Sequence, residues 1–307
     1  MAAASPSRTR VEVGQPIRAG QFAGLDLMGA DDLPPDYGRW LIHGPQGSGK
    51  TTLAATIAAL GPTLFLDLTG EKGVRSFQRA PYSSNITVVR PTSITALDDV
   101  YWQLAAGGHP YRCVVLDSIT AAQKMTMRYL LGHDETAVRE IRKGVAPADM
   151  RTWGQSLDVM TDVGIFWFGL ADGQRPQPIH VVFTAQTKVN EDDFGNISRS
   201  PDVQKGALSL MMASPDYILY TDVEENPDAL ADDSQAPVHH IVRFGANPDY
   251  RTKARLPYDL RGKIPPILGR RRPTSLAELS RVLRMGGVPE APALPAAEPE
   301  TVTPAQA

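Results

Sequence analysis

Cysteine is nearly absent: Cys113 stands alone in 307 residues. A structural disulfide within the chain is excluded, and so is a zinc site built from several cysteines. Charge of one sign is lacking too, with a net charge of −3 and a pI near 6.1. That excludes a uniformly basic protein that coats nucleic acid by bulk charge, though not a local basic patch. The strongest apolar run, Gly164 to Ala171, falls far short of the ~20 residues that cross a bilayer. The opening MAAASPSRTR carries no secretory apolar stretch. No internal repeat recurs at a period of about 20 to 50 residues. These absences predict a reducing, cytoplasmic setting and no membrane partner. What is present is ordinary for a globular chain, 42% apolar and 21% charged. At roughly 100–200 residues per domain, one large domain or two small ones fit.

Three zones follow from composition. Residues 1–35 carry little periodicity and read as a flexible lead-in. Residues 36–270 carry the strand and helix signals. Residues 271–307 read as a basic linker followed by a Pro/Ala/Glu-rich tail that cannot bury enough apolar surface to order itself. Within the middle zone, apolar runs at Arg39–His43, Thr63–Asp67, Ile86–Arg90, Tyr111–Asp117 and Ile179–Gln186 alternate with helical patterns at Lys50–Leu60, Ile94–Ala106, Ser118–Leu131 and about Asp149–Leu170. That interleaving predicts an α/β fold, with a mostly parallel sheet covered by helices on both faces. Tyr217–Val223 and Val238–Phe244 alternate like an antiparallel extension at one edge.

Gly44-Pro45-Gln46-Gly47-Ser48-Gly49-Lys50-Thr51 matches G-x-x-x-x-G-K-[ST] in full, after an apolar strand and at the start of a helix. Glycines let the backbone wrap an anion, and the N–H groups and helix N-terminus then face the phosphates. Gly44 through Thr52 are therefore the nucleotide-binding candidates. Lys50 should reach the β/γ oxygens, exposed until a ligand arrives, and the Thr51 hydroxyl should ligate Mg²⁺. The cofactors expected are ATP and Mg²⁺. The second metal ligand is expected at the end of a neighbouring strand. Cys113-Val114-Val115-Leu116-Asp117 supplies an acid at a strand's C-terminal rim, with Ser118 able to cap the next helix. Position 118 is serine, so the group that activates water must come from elsewhere. Glu71 and Asp67 are both candidates, with Glu71 favoured.

A phosphate loop, a strand ending Phe65-Leu66-Asp67 with a glutamate nearby, Val114-Val115-Leu116-Asp117-Ser118, and a strand ending in Gln186 together resemble the RecA-like P-loop NTPase core over residues 36–260. More narrowly they resemble the phage-encoded RecA-like ATPases of the Sak type, which are single-strand annealing or recombination proteins. In RecA the catalytic glutamate lies two residues after the strand's aspartate, where this chain has Thr69.

The resemblance implies an ATPase that binds single-stranded DNA and assembles into a ring or filament, with a single-strand binding protein as a further candidate partner. Gln186 would sense the γ-phosphate. Thr187–Lys205 would be a long DNA-contacting loop, its Lys188, Arg199 and Lys205 opposed by Glu191, Asp192 and Asp193. Lys253 and Arg255 would form a Lys-x-Arg pair that reaches the neighbouring subunit's nucleotide; direct contact with DNA is the alternative. Helicase-like or loader motors share the core, and a nucleotide-switched assembly protein without nucleic acid is a further reading. Arg270-Arg271-Arg272 reads as a nucleic-acid contact or a solvated linker. His239-His240 cannot easily share a metal from adjacent strand positions. Trp153, Trp167 and Phe168 read mainly as core. The acidic stretch Asp222–Asp233 reads as a solvated hairpin loop.

Overall fold

The computed structural model describes residues 19–22, 25–28, 37–70, 73–132, 148–230, 236–270 and 272–286. The chain divides into two compact units, 1–35 and 36–307. In the first unit, β1 (Ala19–Phe22) and β2 (Leu25–Met28) form an antiparallel hairpin.

In the second unit, β3 (Arg39–Gly44) leads into α1 (Lys50–Ala55), which tightens to a 3₁₀ turn over Thr56–Leu60. Then come β4 (Thr63–Asp67), β5 (Ile86–Val89), α2 (Ile94–Ala106), β6 (Cys113–Asp117), α3 (Ile119–Leu130) and α4 (Met150–Gly169). The chain continues through β7 (His180–Glu191), β8 (Ile197–Pro201), α5 (Lys205–Ala213), β9 (Tyr217–Glu225) and β10 (Val238–Arg243). It closes with β11 (Lys253–Ala254), β12 (Ile267–Leu268) and α6 (Leu276–Val282).

The sheet runs β12-β10-β9-β3-β7-β6-β4-β5. The six strands from β9 to β5 are parallel, and β10, β11 and β12 add the antiparallel edge. This is the expected α/β architecture, a RecA-like P-loop NTPase fold. One expectation needs correction. The strand ending in Asp117 does not neighbour the phosphate-loop strand: β7 lies between β3 and β6. Strand order is a long-range property that local pattern does not carry.

Period-2 alternation sorts side chains into two cores. Leu41, Leu64, Leu66, Val114, Leu116, Val181 and Phe183 pack under α2, α3, α4 and α5. Trp40, Ile42, Phe65, Val115, Val182 and Leu219 pack under α1 and α6. Both faces are covered, so the strands read as continuous apolar runs. Side-chain caps fix three helix starts: Ser93 on Ala96 N at 3.1 Å, Ser118 on Ala121 N at 3.3 Å, and Asp149 on Thr152 N at 2.7 Å. Gly164 and Gly206 let α4 and α5 close together. A Cβ on Gly164 would lie 2.9 Å from Met211 Cε, and one on Gly206 would lie 2.8 Å from Leu157 Cδ2.

Four further differences from the sequence reading are physical. Thr187–Lys205 is not a long loop: β7 runs on to Glu191 and turns back as β8, a hairpin in register from Thr187↔Pro201 to Glu191↔Ile197. Its polar side chains mask strands that are paired to each other rather than buried. The stretch beyond 270 is more than a linker, because α6 buries Leu276, Ala277 and Leu279 in the second core, with Leu283 and Met285 following. Residues 287–307, where the tail was expected, lie outside the described residues. The acidic stretch begins inside β9, where Glu224 meets Arg243 and Arg270. Trp167 and Phe168 are core, whereas Trp153 is exposed.

Two buried histidines give the fold a pH dependence. Burial holds His43 down at about 3 and His180 at about 4, both from 6.5. Unfolding lets each take a proton below pH 6.5, so their stabilisation is complete above that value and is lost as pH falls toward 4 and then 3. Thermal melts should show about 2 kcal/mol lost per histidine between pH 7 and pH 5. His180 Nδ1 accepts from Gly38 N at 2.9 Å. His180→Asn can keep that acceptor and should flatten the decline; an unchanged profile would refute the assignment.

Candidate nucleotide site

The C-terminal ends of the parallel strands meet along one edge. Register sets Gly44 beside Gln186, Asp67 beside Asp117, and His43 beside Tyr220. Ligands bind at this rim in open α/β sheets.

The phosphate loop bends through positive φ at Gly47 (79°) and Gly49 (91°), where a side chain would be strained. Gly44 is needed for a different reason: a Cβ there would lie 2.2 Å from Thr221 Oγ1. Thr221 braces the loop from β9, sharing a 2.6 Å hydrogen bond with Ser48 Oγ. Ser48 Oγ also donates to Pro45 O at 2.8 Å. Unlike α2, α3 and α4, α1 has no side-chain cap. That leaves its first N–H groups to an anion rather than to a neighbouring oxygen.

Lys50 was expected to stand exposed. It is 7% exposed instead, and its Nζ donates to Gly44 O at 3.0 Å and Pro45 O at 2.7 Å. Burial beside the loop makes an unpaired ammonium costly, so the lysine folds back onto the nearest carbonyls.

Asp117 is 8% exposed. Thr51 Oγ1 donates to its Oδ2 at 2.8 Å, and Thr184 Oγ1 donates to its Oδ1. Burial pushes this carboxyl above its ordinary range, against the pull of those two hydrogen bonds. A bound cation would reverse that shift. A carboxylate beside a threonine hydroxyl, both facing the phosphate loop, fits Mg²⁺, which is usually held by one or two carboxylates plus substrate phosphates and water. Among the described residues no cluster of three His, Cys, Asp or Glu offers an all-protein cage.

Glu71 lies outside the described residues. Asp67 does not, and both its oxygens are engaged. Thr69 Oγ1 at 3.2 Å and Gly70 N at 3.1 Å donate to Oδ1, and Arg90 Nε donates to Oδ2 at 2.9 Å.

Gln186 faces the same cleft, which has a volume of about 920 Å³. Its backbone N donates to Thr120 Oγ1 at 3.1 Å, and its carbonyl accepts from Asp202 N at 2.7 Å. The β7–β8 hairpin is thereby tied to the site at both its roots. Its tip carries Phe194, 90% exposed, next to Asp192 and Asp193. Val189 and Ile197 are exposed behind it. Arg199 stacks over the Tyr250 ring at 5.1 Å, with Arg243 over the same ring at 4.3 Å.

Lys253 and Arg255 both have partners within the chain. Lys253 Nζ donates to the carbonyls of Met212 (3.1 Å), Ala213 (2.8 Å) and Pro215 (2.7 Å) at the C-terminal end of α5. Arg255 pairs with Asp216 at 2.7 Å and donates to Ala213 O at 3.1 Å. Cations at a helix C-terminus are favourable. His239 and His240 line the nucleotide cleft. His240 lies over the helix start, its Nδ1 3.3 Å from where a Gly49 Cβ would be. Arg270 is bidentate on Glu224 (2.8 and 3.1 Å), and Arg272 pairs with Glu278 at 3.3 Å. Arg271 lies outside the described residues. Cys113 is buried, as expected, and burial pushes its thiol up to about 12.

Sequence reasoning missed Thr184, Thr221 and Arg90. The first two left a trace: each is a threonine at the end of a mostly apolar run, close to the rim. Arg90 left none, since only the pairing of β4 with β5 brings it to Asp67.

Fold and site define a P-loop nucleotide-binding protein. The chain belongs to the AAA domain family, whose profile matches residues 37–256. No curated protein matches it. Among the described residues, no helix is long and apolar enough to cross a membrane.

Proposed function

We propose that this chain is an Mg²⁺-dependent ATPase that binds single-stranded DNA as an assembly of copies, in phage-type recombination or single-strand annealing. The observation that carries hydrolysis is the convergence of Lys50, Thr51, Asp117 and Gln186 on one rim. Lys50 would exchange its two loop carbonyls for β/γ-phosphate oxygens. Thr51 and Asp117 would hold Mg²⁺, which supplies charge neutralisation on the phosphates. Glu71, four residues beyond the end of β4, would orient the attacking water, since the oxygens of Asp67 are already committed. Gln186 would report the γ-phosphate to the hairpin rooted on it.

The hairpin's exposed Val189, Phe194 and Ile197 support a DNA contact through stacking and apolar packing. Lys253 and Arg255 would serve a neighbouring copy's nucleotide after giving up their bonds to α5 and Asp216. Turnover per chain should then rise with protein concentration until assembly saturates. The acidic residues beside Phe194 favour a second reading, a nucleotide-switched assembly protein without nucleic acid.

ATP turnover with and without single-stranded DNA, at two salt concentrations, separates the two. The first reading expects DNA stimulation that falls steeply with salt, because phosphate neutralisation releases counterions. Turnover indifferent to DNA, together with no DNA binding in the presence of an ATP analogue, would leave only the second.

A further inference from the structure

The family match ends at residue 256, but the nucleotide cleft extends past it. One side of the cleft is the phosphate loop and α1. The other is β10 with Gly269, Arg270 and the residues Arg272 to Ser275. That segment is a strap pinned at both ends. At its start β12 pairs with β10, Leu268 against Val242. Gly269 follows at φ 102°, so close to β10 that a Cβ would lie 2.3 Å from His240 O. Only glycine combines that backbone angle with that approach. At the far end Leu276 N donates to Thr56 Oγ1 at 2.8 Å, just beyond α1. The buried face of α6 then locks the strap down.

We propose that this strap is the nucleoside-binding wall of the site: it holds the base and ribose of the nucleoside triphosphate whose phosphates lie on the phosphate loop. The inference rests on the nucleotide-site reading above and adds the residues that recognise the part that is not phosphate. Two observations carry it. At about 920 Å³ the cleft is at the upper end of the volumes typical for small-molecule sites, and larger than a triphosphate needs. Its far side offers the mixed chemistry a nucleoside requires. Pro273 supplies flat apolar surface, and His240 and Arg272 can stack or donate; Tyr82, from the segment before β5, lines the cleft as well.

The test compares ATP with inorganic triphosphate, both titrated calorimetrically onto the full chain. The two ligands share the phosphate loop, and only ATP has a nucleoside. In Arg272→Ala/Pro273→Ala, two exposed positions change and the core is untouched. Its affinity for ATP should fall by about tenfold or more, with triphosphate binding held within about twofold. Gly269→Ala, whose methyl collides with His240 O, should shift the strap and give the same split. Unchanged ATP affinity in both variants would overturn the wall while leaving the phosphate-loop reading intact. Equal weakening of both ligands would overturn it as well, by showing that the strap merely props the loop. If the unmodified chain bound neither ligand, the nucleotide-site reading would itself fall.

Discussion

Lys50→Ala should abolish ATP turnover, by about a hundredfold or more, and weaken ATP binding. In the proposed function the lysine is the cation that would meet the charge on the transferred phosphoryl group. The structure adds a consequence that the motif alone does not contain. Lys50 Nζ donates to the carbonyls of Gly44 and Pro45. Removing it leaves two loop carbonyls without that donor, so the variant should also melt slightly earlier, by about 1 kcal/mol. Lys50→Met keeps the aliphatic stem and separates lost packing from lost charge. A folded Lys50→Ala protein with unchanged turnover would sink the phosphate-loop assignment.

Glu71→Gln should keep ATP binding and lose hydrolysis, because a group that orients water matters in the transition state more than in the ground state. A loss of about a hundredfold in turnover, with Kd for ATP nearly unchanged, is the expected pattern. Asp67→Asn should behave differently. Asp67 accepts from Thr69, Gly70 and Arg90, and it is 3% exposed. An asparagine there puts an amide against one of those donors and removes the Arg90 pair. The expected result is a lower melting temperature, with turnover per folded molecule reduced far less than in Glu71→Gln. Should the two variants exchange these signatures, the water-orienting carboxylate would be Asp67.

The contrast between these two acids shows why some of the site was legible and some was not. The phosphate loop is a device of contiguous backbone: eight successive residues fix the turn, the helix start, the lysine and the hydroxyl, so spelling alone reveals it. Asp117 was legible for a related reason, since four apolar residues followed by an acid mark a buried strand reaching its rim. Whether a carboxylate is free is not a local property. Asp67 meets Arg90 only because β4 lies beside β5, and the residues between them give no hint of that pairing.

The sequence by itself determined the alternation of strands and helices, the phosphate loop, Asp117 as an acid at a strand's rim, and the antiparallel edge. All of these follow from periodicity and from residues within one element. Only the tertiary structure decided that β7 separates the two halves of the site, and that Thr187–Pro201 pairs with itself instead of wandering. It also decided that Lys50 is buried on its own loop, that Lys253 caps α5, and that the chain past residue 268 returns to wall the cleft. Each depends on which distant surface a segment finds. A hydrogen bond or a buried leucine carries the same letters wherever it lands, so these outcomes are settled by packing and not by spelling.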